Sequence, residues 1–214
     1  MRGKWLAGIV PRNFSWVIKD RLAVSERPGG SVRSHRKVRR KEELLWLKGQ
    51  HFDRIVSLLP STHNLHAYDE LELTWSHFPV SPGGDQLEPL ADLYPALHGW
   101  LRSGERILLH EDDVSDNLMG VVAGYLRWSG LIADGPSAIA ATERLLRRQM
   151  GAPGRQIVSL VHELPRPAIR RQGGRSSSGE SLDGDDEVVS GVRPAGDGTL
   201  PGGAVPGEGR KDAS

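Results

Sequence analysis

The sequence predicts an α/β domain, a central and mostly parallel sheet flanked by helices, followed by a disordered tail. Three observations carry this. Short apolar runs such as "RIVSLL" and "RILLH" alternate with longer stretches whose leucines recur every three or four residues, and strand–helix alternation builds parallel sheets covered on both faces. The chain has 214 residues, enough for one domain with a proper core and a tail. Composition changes near Pro165: Gly, Pro, Ser and charges dominate the following residues, and no aromatic occurs, too little apolar surface to offset the entropy of ordering. The expected division is therefore a domain over 1–165 and a tail over 166–214.

"FSWVIKDRLAVS" alternates apolar and polar residues around Lys19-Asp20 and reads as a short hairpin. "SVRSHRKVRRKEELLWLKGQ" begins basic and becomes helical, with Leu44, Leu45 and Leu47 on an apolar side and Gly49 as its stop. "FDRIVSLLP" is a buried strand bounded by Pro60, "STHNLHAYDE" a loop, and "LELTWSHFPV" an alternating strand. The next helix places Leu87, Leu90, Leu93, Leu97 and Leu101 at helical spacing, with Asp85 to cap it and Gly104 to end it. "RILLH" is a short apolar strand, and residues 116–128 form a helix broken at Ser129-Gly130. "GPSAIAATERLLRRQM" is a further helix, with Pro136 in its first turn and Gly151 at its end.

The composition excludes several chemistries. With no cysteine there is no disulfide, thiolate zinc site or cysteine nucleophile. A formal net charge of +1 gives no global field toward nucleic acid or membrane. No segment approaches the roughly 18 apolar residues of a membrane span, and the amino terminus lacks a signal-peptide pattern. The expected location is cytoplasmic.

In sheets of this kind ligands bind beyond the carboxyl ends of the strands, where "HEDDVSD" follows "RILL" and opens a helix. Around that loop a family is recognisable. "NFSWVIKDRLAVSERPGG", "HFDRIVSLLP", "SHFPV", "GERILLH" and "GVVAGYLRWSGLIADGPSAIAATERLLRRQMGA", in this order over residues 12–163, resemble the small atypical cysteine-dependent dual-specificity and tyrosine phosphatases. The resemblance implies their fold, and a catalytic motif H-C-x-x-G-x-x-R-[ST]-G in which a thiolate attacks phosphorus, an arginine clamps two oxygens, and amides at the helix start hold the rest. Aligned on it, His110 keeps the histidine, Glu111 replaces the nucleophile, Val114 the glycine and Asn117 the arginine, while Leu118 and Met119 replace the hydroxyl residue and second glycine. The general-acid aspartate belongs where Val80 and Ser81 stand. The resemblance thus implies a dual-specificity-phosphatase-like domain without its nucleophile, clamp or acid.

Glu111 is a poor substitute nucleophile. A carboxylate about 4 Å from phosphate is repelled by roughly 4 kcal/mol per unit charge at an effective dielectric of 20, and Asp112, Asp113 and Asp116 add to this. An amide cradle and helix dipole return about 1–2 kcal/mol. The loop carboxylates are expected to take the place of phosphate, capping the helix with Ser115 or Asp116 and otherwise facing water. The alternative is a cation site or a pocket for a basic partner. Carboxylates in a short loop suit Mg²⁺ or Ca²⁺, but the spacing of a calcium loop is missing, and no metal or cofactor is assigned.

The run Arg33–Lys41, with Arg36, Lys37, Arg39 and Arg40, is a second binding candidate. It could meet an acidic protein, nucleic acid or lipid, pair with the acidic loop or with Asp183–Glu187, or simply be solvated; no interleaved aromatic points to nucleic acid. His63 and His66 fall in the expected loop and are not read as metal ligands. The tryptophans mostly fall on apolar faces, and Arg144, Arg147 and Arg148 read as a solvated helix surface. The resulting expectation is a catalytically inactive pseudophosphatase, a binding or regulatory module with a protein partner. Its competitor is a metal-assisted hydrolase using the acidic loop Glu111–Asp116.

Overall fold

The computed structural model describes residues 8–31, 36–62, 65–81 and 83–166. The expected tail, from residue 167 on, lies outside the described residues, as do His63, Arg33 and Asp183–Glu187.

Five strands form one sheet in the order β1 (Ser15–Ile18), β2 (Leu22–Glu26), β5 (Ile107–Glu111), β3 (Arg54–Ser57), β4 (Trp75–His77). The β1–β2 hairpin is antiparallel and all other pairings are parallel. Helices α1 (Lys37–Gly49), α2 (Leu87–Ser103), α3 (Asp116–Trp128), α4 (Gly135–Leu146) and α5 (Ala152–Leu160) complete the domain, with a 3₁₀ segment at Leu65–Leu71. The mixed α/β architecture with a mostly parallel central sheet is the expected one.

The pleat sends alternate residues to opposite faces, and the two halves of the core follow from it. Leu22, Val24, Val56, Leu58, Ile107 and Leu109 pack with residues of α2, α3 and α5, including Leu90, Leu97, Leu118, Val122 and Ile157. Ala23, Ile55 and Leu108 pack with Leu44 and Leu47 of α1 and Leu65 and Tyr68 of the 3₁₀ segment. Having both faces covered explains why β2 and β5 are buried at every residue. Among the described residues no helix is long and apolar enough to cross a membrane.

Two local expectations need correction. The strand expected over "LELTWSHFPV" is only Trp75–His77, because Leu71 still belongs to the 3₁₀ segment that occupies much of the expected loop. The helix after Pro136 ends at Leu146 rather than near Gly151, since Arg147 takes a left-handed conformation (φ 52°). The chain then turns into α5, with Pro153 in its first turn. Asp85 lies one residue before the N-cap Gln86, and its Oδ1 still accepts from the first helical N–H, that of Leu87, at 2.9 Å.

α3 and α5 touch backbone to backbone at Gly120 and Gly154. A Cβ on Gly120 would lie 2.7 Å from both Cα and O of Gly154. Gly120→Ala is therefore expected to destabilise the domain by about 1–3 kcal/mol in urea unfolding. Gly99→Ala, where a Cβ meets nothing within 4 Å, should be neutral or stabilising by up to about 1 kcal/mol. Equal effects of the two would remove the close approach as a constraint.

Candidate functional site

Parallel pairing aligns the carboxyl ends of three strands, with Glu26 opposite Glu111 and Ser57 opposite His110. The loop Asp112–Ser115 leaves β5 at the middle of this edge and enters α3. Ser115 is the N-cap, its Oγ accepting from the Leu118 N–H at 3.2 Å.

Glu111 does not face water; it is 8% exposed. Its carboxylate accepts from the Ser115 hydroxyl through Oε2 and from Asn117 Nδ2 through Oε1 at 3.1 Å. Asn117 also donates to the Val80 carbonyl at 2.9 Å, and Gln86 makes long contacts with Asn117 Oδ1 and the Ser81 carbonyl, 3.5 Å each. The positions aligned with nucleophile, clamp and acid loop thus form one hydrogen-bonded group: Glu111, Asn117, Val80 and Ser81. Burial raises the Glu111 pKa, while the Ser115 and Asn117 hydrogen bonds pull it back down.

The other carboxylates separate. Asp112 lies 3.6 Å from the guanidinium of buried Arg27. Asp113 is exposed. Asp116 accepts from the Gly151 N–H at 3.0 Å and from Arg148 Nη2 at 3.3 Å, and Arg148 also donates to the Val114 carbonyl. Arg148, read as a solvated helix residue, instead ties the loop to the turn after α4. A pocket of about 290 Å³ remains, lined by Glu111, Asp113, Ser115, Asp116, Asn117 and Arg148 with Pro153. Among the described residues no three His, Asp or Glu side chains converge as metal ligands would.

Behind the loop His110 is fully buried, its Nε2 2.9 Å from the Tyr68 hydroxyl. Burial first, then the Arg27 guanidinium, push its pKa down to about 3, so the ring is neutral. Arg27, Tyr68 and Gln86 were not singled out in the sequence. The signal for Arg27 was its position one residue beyond the end of a buried strand.

In the basic run Arg36 and Lys37 are exposed at the start of α1. Arg39 pairs with Glu43 at 2.7 Å, and Glu43 also accepts from the Gly29 N–H at 2.6 Å, which fastens α1 to the turn after β2. Arg40 is buried. Among the described residues the cation paired with the acidic loop from this side is Arg27.

No protein-family model and no curated protein matches the chain. Solved structures do. Kinase associated phosphatase, carrying serine for its catalytic cysteine, superposes with a TM-score of 0.61 at 17% identity, over 72% of this chain and 96% of its own. Tk-PTP in its active form gives 0.57 at 17%, over 71% and 97%. Human DUSP28 gives 0.53 at 18%, over 73% and 97%. The domain has the fold of the dual-specificity and tyrosine phosphatases.

Asn117→Ala leaves one oxygen of Glu111 and the Val80 carbonyl without their donor. A loss of roughly 2–4 kcal/mol in urea unfolding is expected at about pH 7. Glu111's folded pKa already lies above its unfolded value, so its own ionisation favours the folded state less as pH rises through that interval. Removing a hydrogen bond that lowers this pKa raises it further. The deficit of the variant should therefore shrink as pH falls from about 7 toward the ordinary carboxylate range; a pH-independent deficit would show that Asn117 does not bond the ionised Glu111.

Proposed function

We propose that this chain, built on the fold of the dual-specificity and tyrosine phosphatases, is a catalytically inactive member of that architecture that works as a protein-binding or regulatory module. The supporting observation is where the Glu111 carboxylate lies: at the start of α3, bonded to the Ser115 hydroxyl and Asn117 amide. In the resemblance this is where a thiolate would meet phosphate. A fixed anion there opposes a phosphate dianion by several kcal/mol, and Asn117, whose amide donates to Val80 and Glu111, carries no charge to offset it. The sequence supplies no thiol anywhere.

The rim suits recognition of a charged protein surface. Asp113 projects from the loop, and Arg36 and Lys37 are exposed at the start of α1, which is tied to the turn after β2. Such exposed charges act mainly on encounter rate and partner choice. The metal-assisted alternative gains no geometric support, because three of the four loop carboxylates are engaged separately, Asp112 by Arg27, Asp116 by Arg148 with Gly151, and Glu111 by Ser115 with Asn117.

Purified protein is expected to hydrolyse p-nitrophenyl phosphate no faster than buffer, with or without millimolar Mg²⁺. Turnover that disappears in Glu111→Gln would overturn the inactive reading and establish a carboxylate-dependent enzyme. For the binding role, proteins retained by the wild type should be lost on Asp113→Lys or on Arg36→Glu with Lys37→Glu, both surface changes of about 0.5 kcal/mol or less in stability. Identical retention by all three proteins would place recognition elsewhere.

A further inference from the structure

A second pocket, of about 480 Å³, opens between α1 and the 3₁₀ segment and is lined by Lys37, Arg40, Lys41, His66 and Glu70 over the apolar side of Leu44. α1 and this segment cover the sheet face opposite α2 and α3, so the pocket is distinct from the one at the α3 start.

Arg40 is the anomaly there. It is 9% exposed, and its Nη1 is buried without a hydrogen-bond partner among the described residues. No described carboxylate forms an ion pair with it; buried Glu43, on the same helix, is engaged by Arg39 and the Gly29 N–H. Glu43, three residues further along α1, is thus committed elsewhere, and Glu70 is exposed at the rim. A buried charge without a counterion is strongly unfavourable, and a guanidinium, unlike an ammonium, does not relieve the cost by losing its proton. Three fixed cations, Lys37, Arg40 and Lys41, face this space against one carboxylate.

We infer that the pocket between α1 and Leu65–Leu71 is an anion site for a small phosphate-bearing molecule, with buried Arg40 as its central ion-pair partner and Lys37 and Lys41 at its mouth. The planar donor fork of arginine matches phosphate oxygens in pairs, and flanking ammonium groups balance a second charge. The space exceeds a single phosphate, which points to a pyrophosphate or an organic phosphate whose apolar or hydroxylated part rests on Leu44. This inference does not depend on the reading of the α3 loop.

The test is thermal unfolding and titration calorimetry of the full chain in pyrophosphate, against sulfate and acetate at equal ionic strength. Pyrophosphate at about 100 times its dissociation constant should raise the midpoint by about 5 °C or more, and sulfate by less. Arg40→Met should abolish the shift while the midpoint in acetate stays level or rises, since an unpaired buried charge has been replaced by an apolar chain. Lys37→Met with Lys41→Met, both at exposed positions, should weaken binding tenfold or more and carries the test should Arg40→Met fail to fold. No shift in the wild type, or a shift kept in full by these variants, overturns the site. An anion held at the α3 loop would instead respond to Glu111→Gln and ignore Arg40→Met, so the two readings fail separately.

Discussion

The buried Glu111 carboxylate is the constraint on which the functional end of this domain depends. It closes β5, lies beside the start of α3, and reaches the chain after β4 through Asn117. A carboxylate taken out of water costs several kcal/mol, and only well-made hydrogen bonds recover it. The Ser115 hydroxyl and the Asn117 amide both donate to this group, and Asn117 spans from it to the Val80 carbonyl. A helix start normally presents unpaired N–H groups and partial positive charge. Here the chain brings its own anion to that position, so the junction behaves as a structural cap.

The same economy governs the layer behind it. His110 lies at the sheet's central edge between Tyr68 and the Arg27 guanidinium, which disfavour a second positive charge there by burial and repulsion. Its pKa is depressed from an ordinary 6.5 to about 3, so its contribution to stability is present in full above 6.5 and is lost as pH falls through that interval. Glu111 runs the other way, because burial raises its pKa. The two groups adjoin in sequence and titrate with opposite effects on folding, which confines their joint optimum to the range where the imidazole is neutral and the carboxylate is still accommodated by its two donors.

Much of the architecture was legible because its signals are local and periodic. Leucines at three-to-four spacing marked α2, apolar runs marked β3 and β5, and Ser115 with Ser129-Gly130 bounded α3. The misses share a physical cause: they were decided by contacts between distant segments. Nothing in "ERLLRRQM" says that Arg147 will turn left-handed so that Arg148 can reach Val114 and Asp116. The shortening of β4 depends on the 3₁₀ segment that seats Tyr68 against His110. At the candidate site, Glu111, Ser115, Asn117 and Val80 could be read one position at a time, but not that they bond to one another. Arg27 was legible only as the residue after a buried strand, since its pairing with Asp112 is set by the strand beside it rather than by its neighbours in sequence.

A near-neutral total charge conceals two opposite local balances. On the α3 side, carboxylates outnumber cations and neutralise themselves through hydrogen bonds, Arg27 and Arg148. On the α1 side, cations outnumber carboxylates and buried Arg40 has no described partner. Tyr68 lies between them, its hydroxyl on His110 and its pKa raised by burial against the lowering pull of Arg27 and Arg40. The strand–helix junction thus holds a buried carboxylate with its own donors, whereas on the α1 side a guanidinium nitrogen is buried without a described partner.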